Sequence, residues 1–148
     1  MIRSLTKNDH QIFIKLMDEF YHSTAVAHPI PPEHYERIFR EATGDSPYAR
    51  VFLIESEGRA AGYGQVSLSF SAEAGGLVVW LEELYIRPQF QGKGLGSAYF
   101  SYIQELFAQD AVRFRLEVEP DNLDAIRLYR RLGYEQMPYL PMYQDFAK

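Results

Sequence analysis

Gln91-Gly92-Lys93-Gly94-Leu95-Gly96 stands between an apolar run, Leu77 to Ile86, and a segment, Ser97 to Phe107, in which Tyr99, Phe100, Ile103 and Phe107 recur at helical spacing. Pro88 stops the apolar run, so the hexapeptide reads as the link from a strand to an amphipathic helix. Three glycines exceed what a plain strand-to-helix turn needs. They let the backbone approach a ligand closely, and the first free N–H groups of the helix point into the same space. With the positive end of the helix dipole, this makes a pyrophosphate site. Two other phosphate loops are excluded. A Walker A loop needs Ser or Thr after Gly-Lys, but Gly94 follows Lys93. A Rossmann fingerprint spaces its glycines differently and needs an acid about twenty residues on, where Arg113 to Arg115 stand.

Outward from the loop, Val112 to Val118 reads as a strand. Asp121 or Asn122 can cap a helix carrying Ala125, Ile126, Leu128 and Tyr129, with Gly133 just past its end. Tyr134 to Met137 and Met142 to Phe146 read as short closing strands. Toward the N-terminus, Val51 to Glu55 and Ala60 to Phe70 are strands joined by a Glu57-Gly58 hairpin turn. Ile2 to Leu5 is β-compatible. Thr6 to Asp9 resembles a capping box ahead of a helix with Ile12, Phe13, Leu16, Met17 and Phe20 on one face. Pro29, Pro31 and Pro32 precede a second helix carrying Tyr35, Ile38 and Phe39. The expected order is β-αα-βββ-α-β-α-ββ, an α+β fold with one mixed β-sheet flanked by helices. No repeat or linker interrupts it, so residues 1–148 are expected to form a single domain.

Composition narrows the partners. A net charge of −5 with no basic tract disfavours nucleic acid, whose binding depends on phosphate neutralisation. No apolar run approaches the ~18 residues that span a bilayer, and MIRSLTKNDH has no signal-peptide core, so no membrane partner and a cytoplasmic location are expected. Cysteine is absent, which removes thiolate chemistry. His10, His22, His28 and His34 show no metal-ligand spacing, so no metal site is expected.

The stretch Leu81-Glu82-Glu83-Leu84-Tyr85-Ile86-Arg87-Pro88, followed by Gln91 to Gly96, resembles the fourth strand and the [Arg/Gln]-x-x-G-x-[Gly/Ala] loop of the GNAT superfamily of acetyl-CoA-dependent N-acetyltransferases. Leu116-Glu117-Val118, Asn122, Ala125, Leu128-Tyr129 and Gly133-Tyr134 are similar to that family's fifth strand and next helix. The likeness covers about Leu77 to Tyr134; residues 1–76 match only in element order. It implies acetyl-CoA as acyl donor, with its pyrophosphate on Gln91, Gly92, Lys93, Gly94, Leu95, Gly96 and Ser97. Main-chain groups around Leu84, Tyr85 and Ile86 would meet the pantetheine arm where two strands splay apart, with Asn122 near the cofactor and Tyr129 near its sulfur. Gln91 replaces the family's alternative Arg, which removes one phosphate-pairing charge, and Lys93 is the residue available to compensate.

Acetylation needs a free amine. An alkylammonium with pKa near about 10.4 lies three units above neutrality, so deprotonation costs on the order of 4 kcal/mol and a carboxylate would help. Glu82 and Glu83 are the candidates. As neighbours on a regular strand they would point to opposite faces, so only one would enter the cleft. Glu82 shares parity with Leu84 and Ile86, and it matches a carboxylate of the polyamine-acetylating branch of the resembled family; it is preferred. The alternative for either is a solvated face or an ion pair with Arg113 or Arg115. Tyr129 would protonate the departing thiolate, its alternative being a core tyrosine. The acceptor is expected to be an amine-bearing small cationic molecule, which Asp18, Glu19, Glu33 and Glu36 favour weakly. A protein lysine or N-terminal amine, or a non-catalytic acyl-CoA-binding module, are the other readings. Tyr139, Tyr143 and Phe146 either finish the sheet or pair with a second copy, with a homodimer the favoured outcome.

Overall fold

The computed structural model describes residues 1–147. They gather into two compact units, residues 1–117 and the segment from Val118 onward. The first holds β1 (Ile2–Ser4), α1 (His10–Tyr21), α2 (Pro32–Thr43), β2 (Ala49–Ser56), β3 (Arg59–Ser71), β4 (Gly76–Ile86), α3 (Leu95–Leu106) and β5 (Ala111–Leu116). The second holds α4 (Leu123–Arg131). In the first unit the strands lie in the order β1-β2-β3-β4-β5, antiparallel except for the parallel β4–β5 pair.

Helices cover both faces of this sheet, which is why β2 is nearly continuously apolar. Val51 and Leu53 point into a cluster with Phe13, Leu16 and Met17 of α1 and Tyr35 and Phe39 of α2. Phe52 and Ile54 point the other way, toward Tyr99, Ile103 and Phe107. α3 lies close because Gly64 of β3 leaves room for a ring. A Cβ there would stand 2.1 Å from Cζ of Tyr99. That close approach places the N-terminus of α3, and the glycine loop before it, beside the end of β4.

Asn122 is the residue that caps α4, its side chain accepting from Ala125 N–H at 3.3 Å, and Gly133 follows the helix at φ 95°. The two closing strands do not form. Tyr134 to Met137 and Met142 to Phe146 carry no ladder among the described residues. Pro138 and Pro141 remove two ladder donors, and Leu140, Met142, Tyr143 and Phe146 remain exposed, so the segment has no sheet partner to order it.

Candidate active site

β4 and β5 pair from Leu77↔Ala111 to Leu81↔Leu116. β5 then ends while β4 runs on to Ile86, so among the described residues no strand of the first unit pairs with the β5-side edge of Glu82 to Ile86. An edge of this kind accepts an extended ligand by main-chain hydrogen bonds, as an added strand would. At its end the Ile86 carbonyl already accepts from the Gln91 side chain at 3.0 Å. Gln91, although exposed, thus ties the loop to the strand.

The loop itself is built for close approach. Gly92 and Gly94 hold φ of 75° and 79°, a region that side chains disfavour, and no atom lies within 4 Å of where either Cβ would be. Gly94 is the N-cap of α3, and no side chain caps the helix. The amides of Leu95, Gly96 and Ser97 therefore start a helix whose first donors are left to a ligand. Lys93 is engaged elsewhere: its Nζ lies 3.2 Å from Oε1 of Glu57 and 5.3 Å from the Phe90 ring centroid. It can serve a phosphate only by leaving Glu57. With that edge of β4, these residues fit an acyl-CoA.

The paired glutamates depart from the expected geometry. Gln65 pairs with Glu83, but the next residue, Val66, pairs with Leu81, which leaves Glu82 as an extra residue in a β-bulge. The bulge breaks the parity argument. Leu81 and Leu84, three residues apart, both pack on the α3 side, while Tyr85 packs on the α1–α2 side. Both carboxylates consequently reach the α1–α2 side. Glu83 accepts from Tyr63 Oη at 2.7 Å and from Tyr21 Oη, and Glu82 accepts from Ser67 Oγ at 2.6 Å. Neither arginine considered as an ion-pair partner is on them. Arg113 bonds Glu73 at 2.9 Å, and the Arg115 guanidinium lies 3.7 Å over the Trp80 ring.

Environment separates three nearby carboxylates. Glu19 on α1 takes two bonds from Arg87, at 2.8 and 2.9 Å, and is held below the usual carboxylate range by that guanidinium. Glu83 has no cationic partner among the described residues. Burial pushes its carboxyl above the usual range, the charge of Glu82 adds to this, and the two phenols pull it partly back. Glu82 is exposed and lines an open depression of about 340 Å³ with Ser67, Ser69, Trp80, Leu81 and Glu117. Glu83 combines partial burial with a raised proton affinity, as a general base requires.

Asn122 and Tyr129 belong to the segment from Val118 onward. The Tyr129 ring lies 6.0 Å from that of Tyr134, and burial raises its phenol pKa, so the hydroxyl stays protonated at neutral pH. Tyr21 and Tyr63 escaped the sequence reading, and the Glu19–Arg87 pair was not foreseen although each residue was named, because these contacts arise through packing between distant elements. The one signal that could have found Tyr63 is the Gly62-Tyr63-Gly64 triplet, a lone large residue between two closely approached glycines. Among the described residues no group of three His, Cys, Asp or Glu could hold a metal ion, and no helix is long and apolar enough to cross a membrane.

Residues 11–134 match the profile of the Acetyltransferase (GNAT) family, so the match runs through both units. The chain is 25% identical over 145 residues to thialysine N-epsilon-acetyltransferase of Mus musculus, covering 92% of this chain and 84% of that one. It is 38% identical over 61 residues to spermine/spermidine N(1)-acetyltransferase of Bacillus subtilis (strain 168), covering 38% and 39%. Among solved structures, an integron cassette protein from the mobile metagenome of Cole Harbour Salt Marsh superposes with a TM-score of 0.82 at 26% identity, over 99% of this chain and 91% of that one. The chain belongs to the GNAT family. It is an acetyl-CoA-dependent N-acetyltransferase, transferring acetyl groups to amines.

Proposed function

We propose that residues 1–148 work as one acetyltransferase domain that acetylates a primary amine of a small cationic molecule by direct attack within a ternary complex. The observation that carries this reading is Glu83, a partly buried carboxylate with a raised pKa and phenolic partners, at the bulge where β4 loses its β5 neighbour. Glu83 is the base. Glu82 and Glu117, lining the adjacent depression, attract the cationic body of the acceptor. This reverses the preference for Glu82 as base, because the bulge turns both side chains to one side and only Glu83 is shielded from water. Acetyl-CoA supplies an activated thioester carbon. Main-chain groups of Leu84 and Tyr85, the amides from Gly92 to Ser97, and Asn122 would hold it, and Tyr129 would give a proton to the departing sulfur. Holding amine and thioester together supplies much of the remaining rate.

A thiol-release assay over spermidine, thialysine, an aminoglycoside and a lysyl peptide, run beside CoA-binding calorimetry, tests the reading. Turnover fastest with a small polycation is expected. CoA binding without turnover of any amine would defeat it, and turnover of the peptide alone would move the acceptor to protein.

The loop has its own test. Gly94→Val forces a β-branched residue to φ near 79°, which costs about 1–2 kcal/mol in conformation, and it puts side-chain bulk where a phosphate must approach. Acetyl-CoA affinity should fall at least tenfold by calorimetry, with melting followed to confirm folding. Unchanged affinity in a folded variant rejects the loop as the pyrophosphate site.

The exposed Leu140, Met142, Tyr143 and Phe146 support a homodimer joined through this C-terminal segment. Light scattering at assay concentration should give twice the chain mass, and a monomer mass refutes the pairing.

A further inference from the structure

We propose that Tyr21 is a second proton-carrying residue of the acceptor site, relaying a proton from the substrate ammonium to Glu83 so that amine and carboxylate need not touch. The proposal rests on Glu83 being the base. Each oxygen of Glu83 is already engaged, Oε1 by the Tyr21 hydroxyl and Oε2 by the Tyr63 hydroxyl. Tyr63 is fully buried, so its oxygen cannot meet a substrate. Tyr21 is the last residue of α1 and is only partly buried. Of the two groups on the carboxylate, it is the one that solvent reaches.

A phenol that donates its proton keeps lone pairs with which to accept. An ammonium approaching from solvent can therefore donate to Tyr21 Oη while Tyr21 donates to Glu83. The transfer balances simply. One N–H bond of the ammonium breaks and its proton forms a bond to Tyr21 Oη, as the original phenolic proton passes to Glu83 Oε1. The products are a neutral amine with its electron pair free, an unchanged tyrosine and a neutral Glu83 carboxyl. Burial and the neighbouring carboxylate raise the pKa of both phenols, so neither is a phenolate at neutral pH and the two transfers must be concerted.

The ring is held for this task. It lies 5.1 Å from the Phe20 ring and 5.9 Å from that of Tyr35. The groups acting on the carboxylate are Tyr21 from α1, Tyr63 from β3 and Glu82 from β4. From α2, the buried Tyr35 hydroxyl has no hydrogen-bond partner and feels the charges of Glu83 and Asp18. None of these contributes a positive charge, so the carboxyl remains free to take a proton.

The test uses the full chain at saturating acetyl-CoA, with whichever of spermidine, thialysine and the lysyl peptide reacts best. Wild type should give a bowed proton inventory in H₂O/D₂O mixtures, reporting two protons in flight, and Tyr21→Phe a straight one. Tyr21→Phe should lose roughly thirtyfold in kcat/KM for the amine, below the ~10²–10⁴ of a lost acid–base group because water can fill the gap. Its acidic limb should move to higher pH, since the Tyr21 bond lowers the Glu83 pKa. A straight inventory in wild type overturns the relay even if the variant misfolds. So does wild-type kcat/KM in Tyr21→Phe with an unmoved acidic limb, while an inactive Glu83→Gln protein leaves the base in place. Full activity in Glu83→Gln, or no turnover of any amine, removes the base and the relay with it.

Discussion

Glu83→Gln should lower kcat/KM for the amine by roughly 10³-fold, within the ~10²–10⁴ that a positioned acid–base group contributes. Gln keeps the size of the side chain and still accepts through its amide oxygen, so one of the bonds from Tyr63 and Tyr21 can persist and the sheet should hold. It cannot take a proton. The pH profile gives an independent check with a definite sign. The working form of a base is the carboxylate, and burial has raised the Glu83 pKa above the usual range. Wild-type kcat/KM should therefore fall as pH drops through that raised value, earlier on acidification than an ordinary glutamate would require. In Glu83→Gln this acidic limb should disappear along with most of the rate. Glu82→Gln should behave differently, raising KM for cationic acceptors while kcat changes little, because Glu82 is exposed and lines the depression. If Glu82→Gln abolishes turnover and Glu83→Gln does not, the assignment of base and binding residue must be exchanged.

Tyr129→Phe should lower kcat by about 10²-fold, the low end of general acid effects, because a thiolate is a fair leaving group even without a proton. The substitution keeps the ring, so its contact with Tyr134 should survive. The acetyl-CoA dissociation constant should change little. Burial raises the Tyr129 pKa, which keeps the hydroxyl protonated through neutral pH and lets it act as a donor. Loss of that donor therefore removes a step rather than a charge. Single-turnover measurements distinguish the step from product release. A double variant with Glu83→Gln should show less than the summed loss if both residues serve one rate-limiting transition state. Wild-type kcat in Tyr129→Phe with chemistry limiting would leave protonation of the sulfur to water.

The glycine loop was legible in the chain itself because its constraint is local. Gly92 and Gly94 sit at positive φ, and the helix after them starts without a side-chain cap; three glycines before an apolar period announce both. The strands β2 to β4 and the four helices could also be read, since alternation and helical spacing are properties of neighbours along the chain. The closing strands at 134–137 and 142–146 could not be judged that way. A strand exists only if a partner supplies hydrogen bonds, and Pro138 and Pro141 weaken that pairing. The orientation of Glu82 and Glu83 lay equally out of reach. Strict alternation sends them to opposite faces, but one extra residue opposite Gln65 and Val66 brings both to the α1–α2 side, and a bulge is a property of two paired strands rather than of one. The proton affinity of Glu83 is further still from the sequence, because Tyr21 and Tyr63 lie 62 and 20 residues away along the chain. Residue types and their order determined that this chain would build a glycine loop beside a strand bearing two carboxylates. Which carboxylate would bind a proton more tightly than an ordinary glutamate was decided only by the packing of α1 and β3 over Glu83, which partly shields its charge from water.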